Sequence, residues 1–156
     1  MSRPPDPNPV ADSGLPFETT LLVRDRCLCL HVQRAARALG RRFDLALRPH
    51  GLTNGQFSVL MSLNRPEPPS MGPVASLLAM DRTTLTAALK PLERRGLVQV
   101  TPDLNDARSR ILKLTAKGRK LLAEALPVWK KTHDDIDREI PGIDPEGLRK
   151  ALRALS

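Results

Sequence analysis

The sequence has no tyrosine, one tryptophan and three phenylalanines in 156 residues. Its core must therefore draw on Leu, Val, Ala and Met, which suits packed helices. Two cysteines are too few for the disulfide framework of a small secreted domain, and both are expected as reduced thiols. No apolar run approaches the roughly 18 residues that a membrane span needs, so no membrane partner is expected. The N-terminus lacks the apolar stretch of a secretory signal, and the expected location is cytoplasmic. There is no phosphate-cradling glycine loop, serine elbow or zinc-protease motif. His31, His50 and His133 stand isolated in sequence. The chain is thus read as a non-enzyme, with no catalytic residue, cofactor or metal site.

What is present is charge, proline and helical periodicity. The net charge is +8, an excess that often marks a polyanion partner. Pro4, Pro5, Pro7, Pro9 and Pro16 make residues 1–20 a flexible N-terminal arm without helix. Residues 21–156 are read as one domain. A long helix is expected over Leu21–Leu47, with Leu28, Val32, Ala35, Leu39, Phe43 and Leu47 on one apolar stripe. Arg34, Arg37, Arg41 and Arg48 form a second line, readable as a solvated face or as a nucleic-acid contact. Thr53 and Gln56 fit a capping box for a second helix. The prolines of 64–69 mark a loop. Ser70 is placed to cap a short helix with Val74, Leu77 and Leu78 facing inward.

The segment 81–118 organises the rest. Asp81 is a good N-cap for a helix over 82–95, with Leu85, Ala88, Leu89 and Leu92 on its buried face. The other face offers Arg82, Thr83, Thr86, Ala87 and Lys90, with no carboxylate among them. Small residues permit close approach to a groove, hydroxyls bond phosphates or base edges, and Arg pairs bidentately with guanine. Pro91 is expected to bend the helix, and Gly96 is its C′ residue. Leu97–Thr101 and Arg108–Leu114 read as two strands of a hairpin. From Arg82 to Lys113 there are seven Lys/Arg and three Asp/Glu. Arg108 and Arg110 at the hairpin tip can enter a minor groove, and Asp106 can hold Arg108. Thr115 caps a long helix with a kink expected at Pro127, and Asp144-Pro145 opens a short last one. These amphipathic terminal helices need a further apolar surface, which a second copy of the chain supplies.

Asp81-Arg82-Thr83-Thr84-Leu85-Thr86, Leu92-Glu93-Arg94-Arg95-Gly96-Leu97-Val98, Asp106-Ala107-Arg108 and Leu112-Lys113-Leu114-Thr115-Ala116-Lys117-Gly118 together resemble the MarR family of bacterial transcriptional regulators. The resemblance implies a mainly α fold with a small β-hairpin wing. It places a winged helix-turn-helix at about 53–115 and dimerisation helices at about 21–48 and 116–156. It implies a triangular homodimer that binds double-stranded DNA at a pseudopalindromic operator. It further implies repression of nearby genes, relieved by a small ligand or by thiol oxidation. On the matching positions, Arg82, Thr83, Thr84, Thr86 and Lys90 would carry recognition-helix contacts. Arg108, beside Arg110, would be the wing arginine, supported by Asp106. The alternative is a winged-helix protein-interaction module without sequence-specific DNA binding.

Cys27-Leu28-Cys29-Leu30-His31 has three readings. Both thiols can be small buried apolar groups. C-x-C-x-H is a weak metal pattern. Cys29 also resembles the reactive cysteine of the organic-hydroperoxide-sensing branch of the family. That branch uses tyrosine hydroxyls, which this chain lacks. With both cysteines on one helix, oxidation would cross-link subunits or cap a thiol. Arg24 and Arg26 are near enough in sequence to act on either thiol. An aromatic or anionic small-molecule effector is the other expectation, with His31, Arg34 and Arg42 as candidate partners.

Overall fold

The computed structural model describes residues 14–104, 106, 109–140 and 142–156. It is mostly helical, with one two-stranded antiparallel sheet among the described residues. The chain divides into two compact units between Ala38 and Leu39.

The first unit holds α1 (Phe17–Arg26) and the opening turns of α2 (Leu28–Leu47). Two expectations change here. The helix begins at Phe17, inside the segment expected to be an arm. Residues 1–13 of that segment lie outside the described residues; Pro16 occupies the N-cap position, and no proline follows until Pro49. The expected continuous helix is broken at Cys27, whose backbone is extended at φ −73°, ψ 100°. No glycine or proline announces this break. Cys27 instead serves as a cap: its Sγ accepts the Leu30 N–H at 3.4 Å.

The second unit, from Leu39 onward, contains the rest of α2 and a 3-10 turn, Arg48–His50. There follow α3 (Asn54–Ser62), α4 (Met71–Leu77), α5 (Arg82–Arg94), β1 (Val98–Pro102), β2 (Arg110–Leu114), α6 (Ala116–Glu139) and α7 (Pro145–Arg153). The capping box at α3 is present in both directions, Thr53 Oγ1 accepting from Gln56 N–H and Gln56 Oε1 from Thr53 N–H, each at 3.2 Å. Its core joins Leu47, Leu60, Val74, Leu85, Leu92, Leu97, Leu112 and Leu114, all fully buried. The scarce aromatics gather in one place. Phe57 stacks on Trp129 with centroids 5.8 Å apart, and His133 sits 4.2 Å from Trp129 and 4.6 Å from Phe43. Burial lowers the His133 pKa below its usual range, and the Arg149 charge adds to this.

α4 and α5 form the helix-turn-helix, and the turn is a Schellman motif. Met80 N–H bonds Ala75 O at 2.9 Å and Ala79 N–H bonds Ser76 O at 3.1 Å. Ala79 pays for the turn with a left-handed φ of 50°. Leu77, expected to face inward, is 61% exposed; Val74 and Ala75 fill the core instead. A seven-residue helix buries only about one residue per turn, and its C-terminal leucine falls outside that stripe. Ser70 occupies the cap position without a side-chain cap bond. Its segment pairs with β2 instead, through a Ser70–Ile111 bridge and the Leu112 N–H to Pro69 O bond at 2.9 Å.

The hairpin is shifted from its expected bounds. Val98 pairs with Leu114 and Pro102 with Arg110, so the strands run 98–102 and 110–114. The register keeps Val98, Leu112 and Leu114 in the core, which the alternation requires. α5 continues through Pro91 and α6 through Pro127 as unbroken helices.

Candidate nucleic-acid interface

α5 is fixed at both ends by local chemistry. At its start Asp81 Oδ1 accepts the Thr84 N–H at 2.7 Å, and Oδ2 accepts the Thr84 hydroxyl at 2.9 Å. These bonds, the Thr84 N–H first, hold the Asp81 carboxyl below the usual carboxylate range. The helix N-terminus is therefore occupied by the chain's own anion, and side chains must supply any phosphate contact. At its end Gly96 takes φ 69°, and Leu97 N–H and Gly96 N–H bond Leu92 O and Glu93 O, both at 2.9 Å.

The next cap locks this end to the wing. The Thr115 hydroxyl donates to Gly96 O at 2.8 Å and accepts the Gly118 N–H at 3.0 Å. Lys117 Nζ donates to Arg95 O at 2.8 Å. Gly118 packs so tightly that an added Cβ would stand 2.2 Å from Leu97 O. Helix, hairpin and following helix are thus one fastened joint.

Between these ends Leu85, Leu89 and Leu92 are buried. Arg82, Thr83, Thr84, Thr86, Ala87 and Lys90 are exposed. The Thr86 hydroxyl donates back to Arg82 O at 2.7 Å, leaving its oxygen free to accept. Thr84, grouped with the contact residues in the sequence, has its hydroxyl committed to Asp81. Among the described residues, Arg82 and Lys90 have no ion pair. Arg94, named in the sequence only within the family motif, falls by its spacing on a stripe with Thr83, Ala87 and Lys90, and it too is exposed, with no ion pair among the described residues. That signal was legible as an i, i+4, i+7, i+11 series. No carboxylate interrupts the face until Glu93 in the last turn.

On the wing, Arg110 is exposed at the last rung of the ladder, opposite Pro102. The turn is drawn in by Ser109 N–H to Asp106 O at 2.8 Å and Asp103 N–H to Ser109 O at 3.1 Å. Arg108, the expected wing arginine, lies outside the described residues.

The cysteine segment departs from two of its readings. Cys29 is exposed and Cys27 half-buried, so neither is a buried apolar group in this chain. The break at Cys27 also removes the premise that both thiols lie on one helix. Gln33 Nε2 donates to Cys29 Sγ at 3.2 Å, and Arg37 donates to Gln33 Oε1 at 3.3 Å. Arg24 is committed to Asp25, at 2.6 and 2.9 Å, rather than to a thiol. His31 Nε2 lies 3.2 Å from Asp25 O. No group of three or more metal-ligating side chains forms among the described residues. Arg42, a candidate effector partner, instead forms a bidentate pair with Glu139. None of the described helices is long and apolar enough to cross a membrane.

Comparison with known proteins agrees with this geometry. The MarR family model matches residues 52–109, which contain α3 to β1. The regulator TtmR of Methylorubrum extorquens is 41% identical over 97 residues, 62% of this chain and 50% of that protein. The transcriptional repressor MprA of Escherichia coli K12 is 33% identical over 114 residues, 72% of this chain and 61% of that protein. The chain thus spans between half and two thirds of these two relatives. The transcriptional regulator MosR of M. tuberculosis, solved in complex with DNA, superposes with a TM-score of 0.76 at 38% identity, covering 83% of this chain and 93% of that one. With a helix-turn-helix whose second helix is acid-free along most of its outer face, a hairpin wing fastened to it, and these relatives, the chain belongs to the MarR family of DNA-binding transcriptional regulators.

Proposed function

We propose that the chain acts as a homodimeric repressor that binds a pseudopalindromic operator and is released by a small ligand or by thiol oxidation. The observation that carries the DNA-reading part is the exposed face of α5. Arg82, Thr83, Thr86 and Lys90 stand exposed on it, Arg82 and Lys90 without an ion pair among the described residues, and Arg110 and Lys113 are exposed on the hairpin that follows. In the reading, this face enters the major groove, and Arg110 with Arg108 reaches the minor groove. The MosR–DNA complex is a relative in which DNA is bound. MprA is a relative named as a repressor.

Dimerisation is supported by apolar side chains left exposed on the terminal helices, Leu22, Val23, Leu28 and Val32 in the first unit and Leu152 in the second. Thiol control is supported by the Cys27 cap. Oxidation of a sulfur that accepts the Leu30 N–H removes or reshapes the start of α2.

Selection of bound duplexes from a random DNA pool, with and without peroxide, tests the whole reading. An enriched two-fold symmetric sequence is expected, with enrichment weakened by peroxide and restored to peroxide resistance by Cys27→Ser or Cys29→Ser. No enriched sequence would instead favour a winged-helix module that binds protein. An oxidant response unchanged in both variants removes the thiol part alone.

A further inference from the structure

The corner between α2 and α3 is tied to the fold on two sides. Gly51 makes the corner in the left-handed region, at φ 63°, with its N–H on Arg48 O at 2.8 Å. On one side Asp44 Oδ1, from α2, accepts the N–H of Asn54, the first residue of α3, at 2.7 Å. On the other side Arg95 Nη1 donates to Gly51 O at 2.8 Å, across 44 positions of sequence. Arg95 is the C-cap of α5, and Lys117 Nζ, from α6, donates to its carbonyl at 2.8 Å. One residue thus receives a bond from α6 on its backbone and gives one to the corner from its side chain. Arg95 is half-buried and has no ion pair among the described residues, whereas its neighbour Arg94 is exposed.

Two kinds of force therefore hold α5. Leu85, Leu89 and Leu92 press it onto the core. Apolar burial is non-directional and leaves a helix free to rock on its buried stripe. The guanidinium hydrogen bond is directional, and its planar fork fixes an angle as well as a distance. It acts at the end of α5 opposite the Asp81 cap, with the length of the helix as its lever.

We infer that Arg95 is a positioning residue for DNA binding: without touching the duplex, it sets the angle at which α5 is presented, and so the half-site spacing that two copies of the chain accept. The inference rests on the DNA-reading and homodimer assignments proposed above. Half-sites one helical turn apart tolerate little error, since one added base pair displaces the second by about 3.4 Å. An α5 held by leucines alone meets neighbouring spacings by rocking, and a tethered one does not.

Binding of the full chain to three duplexes tests this: the selected operator, and the same half-sites with one base pair inserted or removed between them. The wild-type chain should bind the altered duplexes far more weakly. Arg95→Ala should close that gap roughly tenfold, the size of one charge-assisted hydrogen bond. Base preference within each half-site and the slope of log K against log salt should stay as in wild type. Arg95→Lys, a single flexible donor in place of the fork, should fall between the two. Alanine is at least as good a helix former as arginine, yet amide exchange at Gly96 and Leu97, bonded to Glu93 O and Leu92 O, should quicken in Arg95→Ala.

An unchanged spacing preference, or an equal loss of affinity for all three duplexes, overturns the inference. A salt slope lowered by about one makes Arg95 a phosphate contact, and an altered preference at one base position makes it a reader of sequence; either overturns it. If the wild-type chain selects no duplex, the DNA-reading assignment fails and the spacing step with it, and quickened exchange at Gly96 and Leu97 then leaves the tether alone standing.

Discussion

Asp81 holds Thr84 through both carboxylate oxygens, one on the backbone N–H at 2.7 Å and one on the hydroxyl at 2.9 Å. Adjacent threonines on α5 therefore differ in what holds their side chains. Thr84 builds the helix start, while Thr83 stands exposed without a side-chain hydrogen bond among the described residues. Thr84→Val should cost about 0.5–1.5 kcal/mol of stability and leave the preferred operator unchanged. Thr83→Val should leave stability within about 0.5 kcal/mol and alter the operator preference. Urea unfolding and selection from a random pool separate the two.

Arg94 closes the stripe that runs through Thr83, Ala87 and Lys90. If α5 lies in the major groove as proposed, Arg94 at its far end would meet a flanking phosphate rather than a base. Arg94→Ala should reduce the slope of log K against log salt by about one and weaken all sequences alike. A change confined to one base position would reassign it to base reading.

The helix over 82–95, its cap and the presence of the hairpin were legible because each rests on local pattern: an N-cap aspartate, leucines at helical spacing, and alternation at Leu112 and Leu114; the strand bounds, which shifted to 98–102 and 110–114, were not. The break at Cys27 was not, because a thiol used as a helix cap has no strong sequence signature. Nor was the pairing of Pro69-Ser70 with β2, which joins residues some forty positions apart and is decided by tertiary packing. The commitment of Arg42 to Glu139 was hidden for the same reason. Of the site, the exposed face of α5 could be read from spacing. The division of labour between Thr83 and Thr84 needed the side-chain geometry.

Gly118 is required by space rather than by backbone freedom. Its absent Cβ would sit 2.2 Å from Leu97 O and 2.8 Å from Leu114 Cδ1. Gly118→Ala must push α6 away from the wing, and about 1–3 kcal/mol of stability should be lost. Operator affinity should fall with it, since the same joint holds the end of α5. A lowered thermal midpoint with unaltered DNA binding would separate the wing joint from recognition.

His133 gives the fold a dependence on pH. Its pKa in the folded chain lies below the ordinary 6.5, chiefly through burial against Phe43 and Trp129. The unfolded chain then binds its proton more readily than the folded one. Stability is therefore full above pH 6.5 and declines as pH falls from there through the lowered folded value. His133→Phe should flatten this slope in denaturant midpoints measured from neutral to mildly acid pH. The carboxylates Asp135, Asp137 and Glu139, held low by Lys131, Arg149 and Arg42, act only in a more acidic window.

The most direct measurement is the affinity for a selected duplex and for a random one, over a range of salt, in the wild-type chain and in Arg82→Ala. The account predicts that log K falls linearly with log salt, that the selected duplex is preferred, and that Arg82→Ala removes much of this preference without unfolding the chain. A flat salt dependence, equal affinity for both duplexes, or an unchanged preference in Arg82→Ala would contradict the claim that α5 reads DNA through this face.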